Sequence, residues 1–317
     1  MIRHIDPRLI FLALGAVIVF AVVRSIGVLA IPEGLGLNSR WVWGLVLGGA
    51  LYLVSHLIRA ARISVISMPM LGVSLRTVFS LHFAVAPWSI LLPFKLDELP
   101  RWNELWRVGR SPIRALLVCA IDRSMDGVIL LLLATSIAVM GSQPVYFTIL
   151  LGLGLSAIGA SFFLLPVLLE AVQRHLFLYN FRNDAIRLLA VVDSLRKLLI
   201  SAREAFSQAL PFLIVTTMGI WIMEILAVEA VLYFCFDQPA GLWSAVSVLI
   251  ERAGGTWQVI WGSGGQGPVS VLTVLFLLVT VLAWVIAVPG YLARCTSEPR
   301  RAWIGHSFRQ SSAGSEA

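Results

Sequence analysis

Residues 77–94 read TVFSLHFAVAPWSILLPF. The stretch is apolar enough for a membrane interior, but it is short for a span of roughly 20 residues and is broken at Ala86-Pro87. A proline removes a backbone donor and biases the residue before it away from helix, so a helix entering this stretch is expected to stop there. The flanks decide the topology. Residues 59–76 hold Arg59, Arg62 and Arg76, and residues 95–114 hold Lys95, Arg101, Arg107, Arg110 and Arg114. Cytoplasmic segments are rich in Lys and Arg, so both flanks read as cytoplasmic. The chain then enters and leaves on one side. Residues 77–94 are expected to form a re-entrant hairpin with its turn near Pro87.

The rest of the chain suits that setting. Of its 317 residues, 59% are hydrophobic and 13% charged. Soluble domains carry about 25% charged residues, and half that cannot cover a soluble globule of this size. A soluble enzyme, a disordered chain and a disulfide scaffold are excluded. Full spans are expected at 9–29, 41–58, 115–140, 146–168, 211–235 and 270–293. Arg3 and Arg8 precede an apolar run from Leu9 to Val23, as in a signal peptide. No A-x-A site follows, and Arg24 stands where one would be, so an uncleaved first span is expected.

A second broken segment, 244–269, carries Glu251 and Arg252 and is interrupted at Gly254-Gly255. It reads as a second re-entrant hairpin, entering from the outer face. Residues 170–210 hold Arg174, Arg182, Arg187, Arg196, Lys197 and Arg203, and the tail adds Arg294, Arg300, Arg301 and Arg309. With both termini cytoplasmic, 20 of the 24 Lys and Arg fall inside, Arg40 and Arg252 outside, and Arg24 and Arg123 within spans. The expected fold is an all-α polytopic membrane protein of about six transmembrane helices and two re-entrant hairpins from opposite faces. It forms one integral domain over 1–293, in the cell (inner) membrane. Its halves, 9–140 and 146–293, repeat the order span, span, hairpin, span in opposite orientation, an inverted repeat of topology without sequence identity. Residues 294–317 form a cytoplasmic tail, partly disordered from Ser307 onward.

Two cytoplasmic segments have amphipathic spacing. In 97–110, Trp102, Leu105 and Trp106 share a face, with Arg101, Glu104 and Arg107 interleaved. In 183–207, Ile186, Leu188, Leu189, Val192, Leu195, Leu198 and Leu199 form a stripe. Each fits a helix lying on the membrane surface or one packed on the bundle. Trp41, Trp43, Trp102, Trp106 and Trp243 fall near expected interfaces and suit an aromatic belt.

Ionisable groups at membrane depth are expensive, so they pair or function. The densest set is the run Leu92-Pro93-Phe94-Lys95-Leu96-Asp97-Glu98-Leu99-Pro100-Arg101, followed by Asp122-Arg123-Ser124-Met125-Asp126 inside the third span. Arg123 and Asp126 are three apart and can pair on one face, while Asp122 points elsewhere. Glu224 and Glu229 lie in the fifth span and could relay protons or hydrogen-bond between helices. Glu251 and Arg252 could gate the outer side. His56 and His82 could titrate or bind phosphate, or simply pack. Cys119, Cys235 and Cys295 have no CxxC spacing, and the five histidines no HExxH pair, so neither a metal site nor a cofactor is expected. The glycines of 262–267 lack the following Lys-Ser/Thr of a phosphate loop.

These two motifs resemble those of the flippase-like membrane family typified by the transmembrane region of lysylphosphatidylglycerol synthase. That family shows a broken apolar helix ending in Leu-Pro-x-Arg-x-Gly-Glu-x-x-Arg, then Glu/Asp-Arg-x-x-Asp at the start of the next span. Leu92, Pro93, Glu98 and Arg101 match the first, with Lys95 for its first Arg and Asp97 where Gly is usual. Asp122, Arg123 and Asp126 match the second, and Arg59-x-x-Arg62 also looks familial. The match covers roughly 50–130. The second hairpin departs from the pattern: its Gly262–Pro268 run has no acid after it. No soluble segment here is long enough for the aminoacyl-transferase domain of some members, so lipid aminoacylation is not expected.

The resemblance implies movement of a lipid with a polar headgroup. Lys95, Arg101 and Arg123 could hold its phosphate, Arg bidentately. Glu98, Asp122 and Asp126 could hold those cations or a cationic part of the headgroup, with Arg59 and Arg62 at the cytoplasmic approach. The same charges also fit a purely structural ion-pair network. The expected function is a flippase or transporter for an anionic or polyprenyl-phosphate-linked lipid, not an enzyme. The alternative is a non-catalytic membrane subunit or scaffold for a lipid-modifying or glycosyltransferase enzyme. The positive charge, +7 overall, fits anionic membrane lipids rather than nucleic acid.

Overall fold

The computed structural model describes residues 14, 15, 17, 18, 39–88, 98–139, 145–179, 183–237, 241–249 and 268–297. All regular structure among them is helical. The helices are α1 (Ser39–Leu71), α2 (Leu75–Val85), α3 (Glu98–Gly109), α4 (Pro112–Val139), α5 (Val145–Tyr179), α6 (Asn183–Phe236) and α7 (Pro268–Ser297), with a short further helix over 242–249. Within α1, α6 and α7, three stretches are long and apolar enough to cross a membrane: Arg40–Leu71, Leu188–Phe236 and Val269–Gly290. Their outer surfaces are apolar too, with Val215 70% and Ile286 74% exposed. A soluble fold would not leave such side chains in water in this number, whereas a bilayer solvates them.

The spans expected at 41–58, 211–235 and 270–293 fall on these three helices, the last running to Ser297. Residues 115–140 and 146–168 fall on α4 and α5, helical over Pro112–Val139 and Val145–Tyr179. Most of the span at 9–29 lies outside the described residues, although Leu14 and Ile18 are buried in the main core. Helix α2 stops at Val85, with a turn over 86–87 where proline was expected to break it. The return limb of that hairpin lies outside the described residues. So do most of the second hairpin and residues 298–317.

Two boundaries differ from expectation. The span expected to end at 58 runs on, because α1 continues unbroken through Arg59 and Arg62 to Leu71. Two arginines counted as cytoplasmic flank charges are packed inside the bundle. Likewise 183–207 is not a separate surface helix. It is the first half of α6, 54 residues long, or about 80 Å at 1.5 Å per residue. Its stripe packs on α5: Val192 and Leu199 are buried against Leu169 and Leu176. Leu189 and Leu195 are partly buried in the same contact, while Ile186 and Leu188 at the start of α6 stay exposed. Segment 97–110 also packs inward as α3. Leu105 is buried, Trp102 stacks on Trp106 at 5.4 Å, and Trp102 Nε1 donates to Pro112 O at 2.9 Å.

The central contact is the antiparallel pair α1 and α6. Gly44 and Gly48, four residues apart, form its closest approach. A Cβ at Gly44 would lie 2.7 Å from Cys235 Sγ, and one at Gly48 would lie 2.9 Å from Val231 Cγ2. Small residues at this spacing let membrane helices approach to backbone distance, where dispersion holds them together. Helix α7 also packs against α1, through Phe276, whose ring stacks on Tyr52 at 3.7 Å.

This packing predicts that Gly48→Leu separates α1 from α6 and destabilises the fold by about 1–3 kcal/mol, the usual cost of overpacking. Gly154→Leu on α5, where a Cβ meets nothing within 4 Å, should leave the melting temperature in detergent unchanged. Equal loss in both variants would show that the contact does not matter.

Candidate functional site: a buried charge network

The site begins with helical phase. Ser55, Arg59 and Arg62 recur at i, i+4 and i+7, so α1 presents all three on one face. That face meets α6, and Glu224 and Thr217 lie opposite. Arg59 Nη2 donates to Glu224 Oε1 at 2.9 Å, and Ser55 Oγ reaches the same oxygen at 3.5 Å. Arg62 is fully buried. Its Nε donates to Asp122 Oδ1 at 2.7 Å, and its Nη1 donates to Asp126 Oδ1 at 2.7 Å and Thr217 Oγ1 at 3.0 Å. One guanidinium thus ties α1 to α4 and α6.

Helix α3 adds the outer layer. Arg101 Nη1 donates to Glu98 Oε1 at 3.0 Å and reaches Asp122 Oδ2 at 3.5 Å. Arg123 pairs with the same Glu98 oxygen, and with Asp126 Oδ2 at 3.3 Å. Four arginines (Arg59, Arg62, Arg101, Arg123) therefore meet four carboxylates (Glu98, Asp122, Asp126, Glu224), and the network is electroneutral. Burial is graded. Arg62 and Asp122 are sealed, while the Glu98 and Arg123 side chains remain 22% and 23% exposed. Farther along α3, burial pushes the Glu104 carboxyl above its ordinary range against the opposing pull of Arg107, 2.9 Å away.

Beside the network, His56 Nδ1 and His82 Nε2 lie 3.1 Å apart, one ring donating to the other, and both rings are buried. They fasten α2 to α1. Past them, an apolar groove of about 460 Å³ runs between α1 and α7, lined by Leu45, Leu53, Phe83, Val279 and Ile286 among others. The lining offers hydrocarbon no polar obstacle.

Of the residues singled out from sequence, Glu98, Arg101, Asp122, Arg123 and Asp126 come together, and the expected Arg123–Asp126 pair forms. Arg59 and Arg62 do not sit at an exposed approach: Arg62 is the hub, because two aspartates and a threonine from other helices converge on it. Glu224 joins through Arg59, a partner that its own sequence neighbourhood does not indicate. Glu229 lies farther along α6 and takes part in none of the ion pairs described. Lys95, Glu251 and Arg252 lie outside the described residues. Thr217 was missed, and so was the meeting of His56 with His82, 26 residues apart. The i, i+4, i+7 phase of Ser55, Arg59 and Arg62 was the available signal for the hub. Among the described residues, no three His, Cys, Asp or Glu side chains form a group able to hold a metal. No protein-family model matches the chain, and no curated protein or solved structure does either.

Removing one partner from a buried ion pair strands the other. Arg62→Met should destabilise the fold by about 3–5 kcal/mol, and combining it with Asp122→Asn, which keeps the network neutral and leaves Arg101 its Glu98 partner, should recover part of that loss. Thermal unfolding in detergent measures both. No recovery in the double variant would contradict the assignment of Arg62 as the hub.

Proposed function

We propose that this chain is a lipid flippase or transporter for a phosphate-bearing lipid, anionic or polyprenyl-phosphate-linked, in the inner membrane. In this reading it has six spans and two re-entrant hairpins, with both termini cytoplasmic. The observation that carries it is the graded network: four arginines at one place among lipid-exposed apolar helices, the outermost reachable and the innermost sealed. A headgroup leaving water needs polar partners at depth, and arginines suit a phosphate. The apolar groove between α1 and α7 suits its chain. The sequence resemblance to the flippase-like family points the same way.

A second reading has one specific observation in its favour. The network is already charge-balanced, as a structural pin would be, which fits a scaffold subunit for a membrane enzyme. Reconstitution into liposomes with a headgroup-labelled phosphatidylglycerol separates the two readings. Transport predicts that wild type moves the lipid, and that Arg123→Gln slows it about tenfold, the scale of one charged hydrogen bond, with melting retained. Movement lost only in step with stability would favour the scaffold.

A further inference from the structure

We propose that Arg101 and Arg123 form the anion site for a phosphate headgroup, and that the Glu98 carboxylate occupies it in the resting protein as an internal stand-in. The inference rests on the transport reading and names the regulation of its site. The hydrogen-bond inventory carries it. Asp122 and Asp126 each use both carboxylate oxygens. Glu98 uses Oε1 for two arginines, and its buried Oε2 has no hydrogen-bond partner among the described residues. Arg101, with its side chain only 4% exposed, has an Nε without a partner. A buried donor and a buried acceptor thus go unused at the same place, a costly arrangement for charged groups. Arg59 Nε and Arg62 Nη2 are also without a hydrogen bond among the described residues, but of the network's carboxylate oxygens only Glu98 Oε2 is buried without one. Two carboxylate oxygens at one angle do not fill the two guanidinium forks. A phosphate, with three or more acceptor oxygens, can engage both, including Arg101 Nε.

Position makes the exchange feasible. Glu98 opens α3, so its side chain can swing out without disturbing a helix interior. Arg101 keeps Asp122 and Arg123 keeps Asp126 when it does, so both arginines stay in place. Glu98 and Arg123 are also the most exposed members of the network. A carboxylate and a phosphate repel each other at one site, so one must leave for the other to bind. The stand-in keeps the arginines paired while no lipid is bound.

The test uses the full chain in neutral detergent, with binding read by calorimetry. The probes are dioctanoyl phosphatidic acid, inorganic phosphate and dioctanoylglycerol. Glu98→Gln should bind the phosphatidic acid at least roughly tenfold more tightly than wild type, the effect of removing one charged competitor. Adding Arg123→Gln should abolish the gain, and Glu170→Gln on the exposed face of α5 should match wild type. Dioctanoylglycerol should show no gain. A gain of the same size with inorganic phosphate would assign a soluble anion and overturn the lipid assignment. A folded Glu98→Gln that binds no more tightly, or a gain that survives without Arg123, would overturn the site. Should Glu98→Gln not fold, Glu98→Asp, whose carboxylate is one methylene shorter, must show a smaller gain in the same direction or the inference falls. Tighter binding without lipid movement in liposomes would sink the transport reading alone. Movement without the affinity gain would sink only the stand-in.

Discussion

Arg62 constrains the rest of the structure. Its guanidinium is fully removed from solvent inside helices whose outer faces are apolar. A charge in such a place is tolerable only when counter-charges and hydrogen-bond acceptors surround it closely. Asp122 and Asp126 supply the charge, and Thr217 supplies a further acceptor. Those groups come from α4 and α6, so the relative depth and rotation of three helices are set together. A slip of α1 by one turn, about 5.4 Å, would carry the arginine out of hydrogen-bond reach of these partners.

That demand explains the small residues on the same helix. Arg59 and Arg62 can reach α6 only if α1 and α6 lie very close. Gly44 and Gly48 allow the approach about three to five turns away, against Cys235, Phe234 and Val231. Tyr52 lies between the glycines and the arginines along the helix and stacks on Phe276 of α7. One helix therefore carries a close-packing stripe, an aromatic contact and a charged face in sequence. Most side-chain hydrogen bonds in the bundle's centre end on it.

The network is not uniform, and its gradient bears on function. The inner layer of Arg62, Asp122 and Asp126 is nearly sealed, and both carboxylates use both oxygens. In the outer layer Glu98 and Arg123 are partly exposed, and the Glu98 Oε2 acceptor goes unused. The buried histidine pair holds the broken helix α2 against α1 at the edge of this layer. Movement of α2 would be felt there first.

Much of the architecture was legible in the sequence because it follows from local chemistry. Low charge and long apolar runs require membrane helices, and Pro87 required α2 to stop at the residue pair where it does. The charged residues of α3 and α4 stood out because ionised groups inside apolar runs demand a reason. The Arg123–Asp126 pair was visible for the same cause, since helical spacing alone brings the two together. The role of Arg62 was not visible. Loop and bundle arginines look alike in sequence until the partners that neutralise them are placed, and those partners lie about 60 and 155 residues away. Nor could local pattern tell that 183–207 continues into the following span, because an amphipathic stripe fits a membrane surface and a neighbouring helix equally well. The sequence by itself determined which segments are helical and apolar. Only tertiary structure decided which buried charges meet, because desolvated charges are stabilised by whatever the fold brings within hydrogen-bond reach, whatever their distance along the chain.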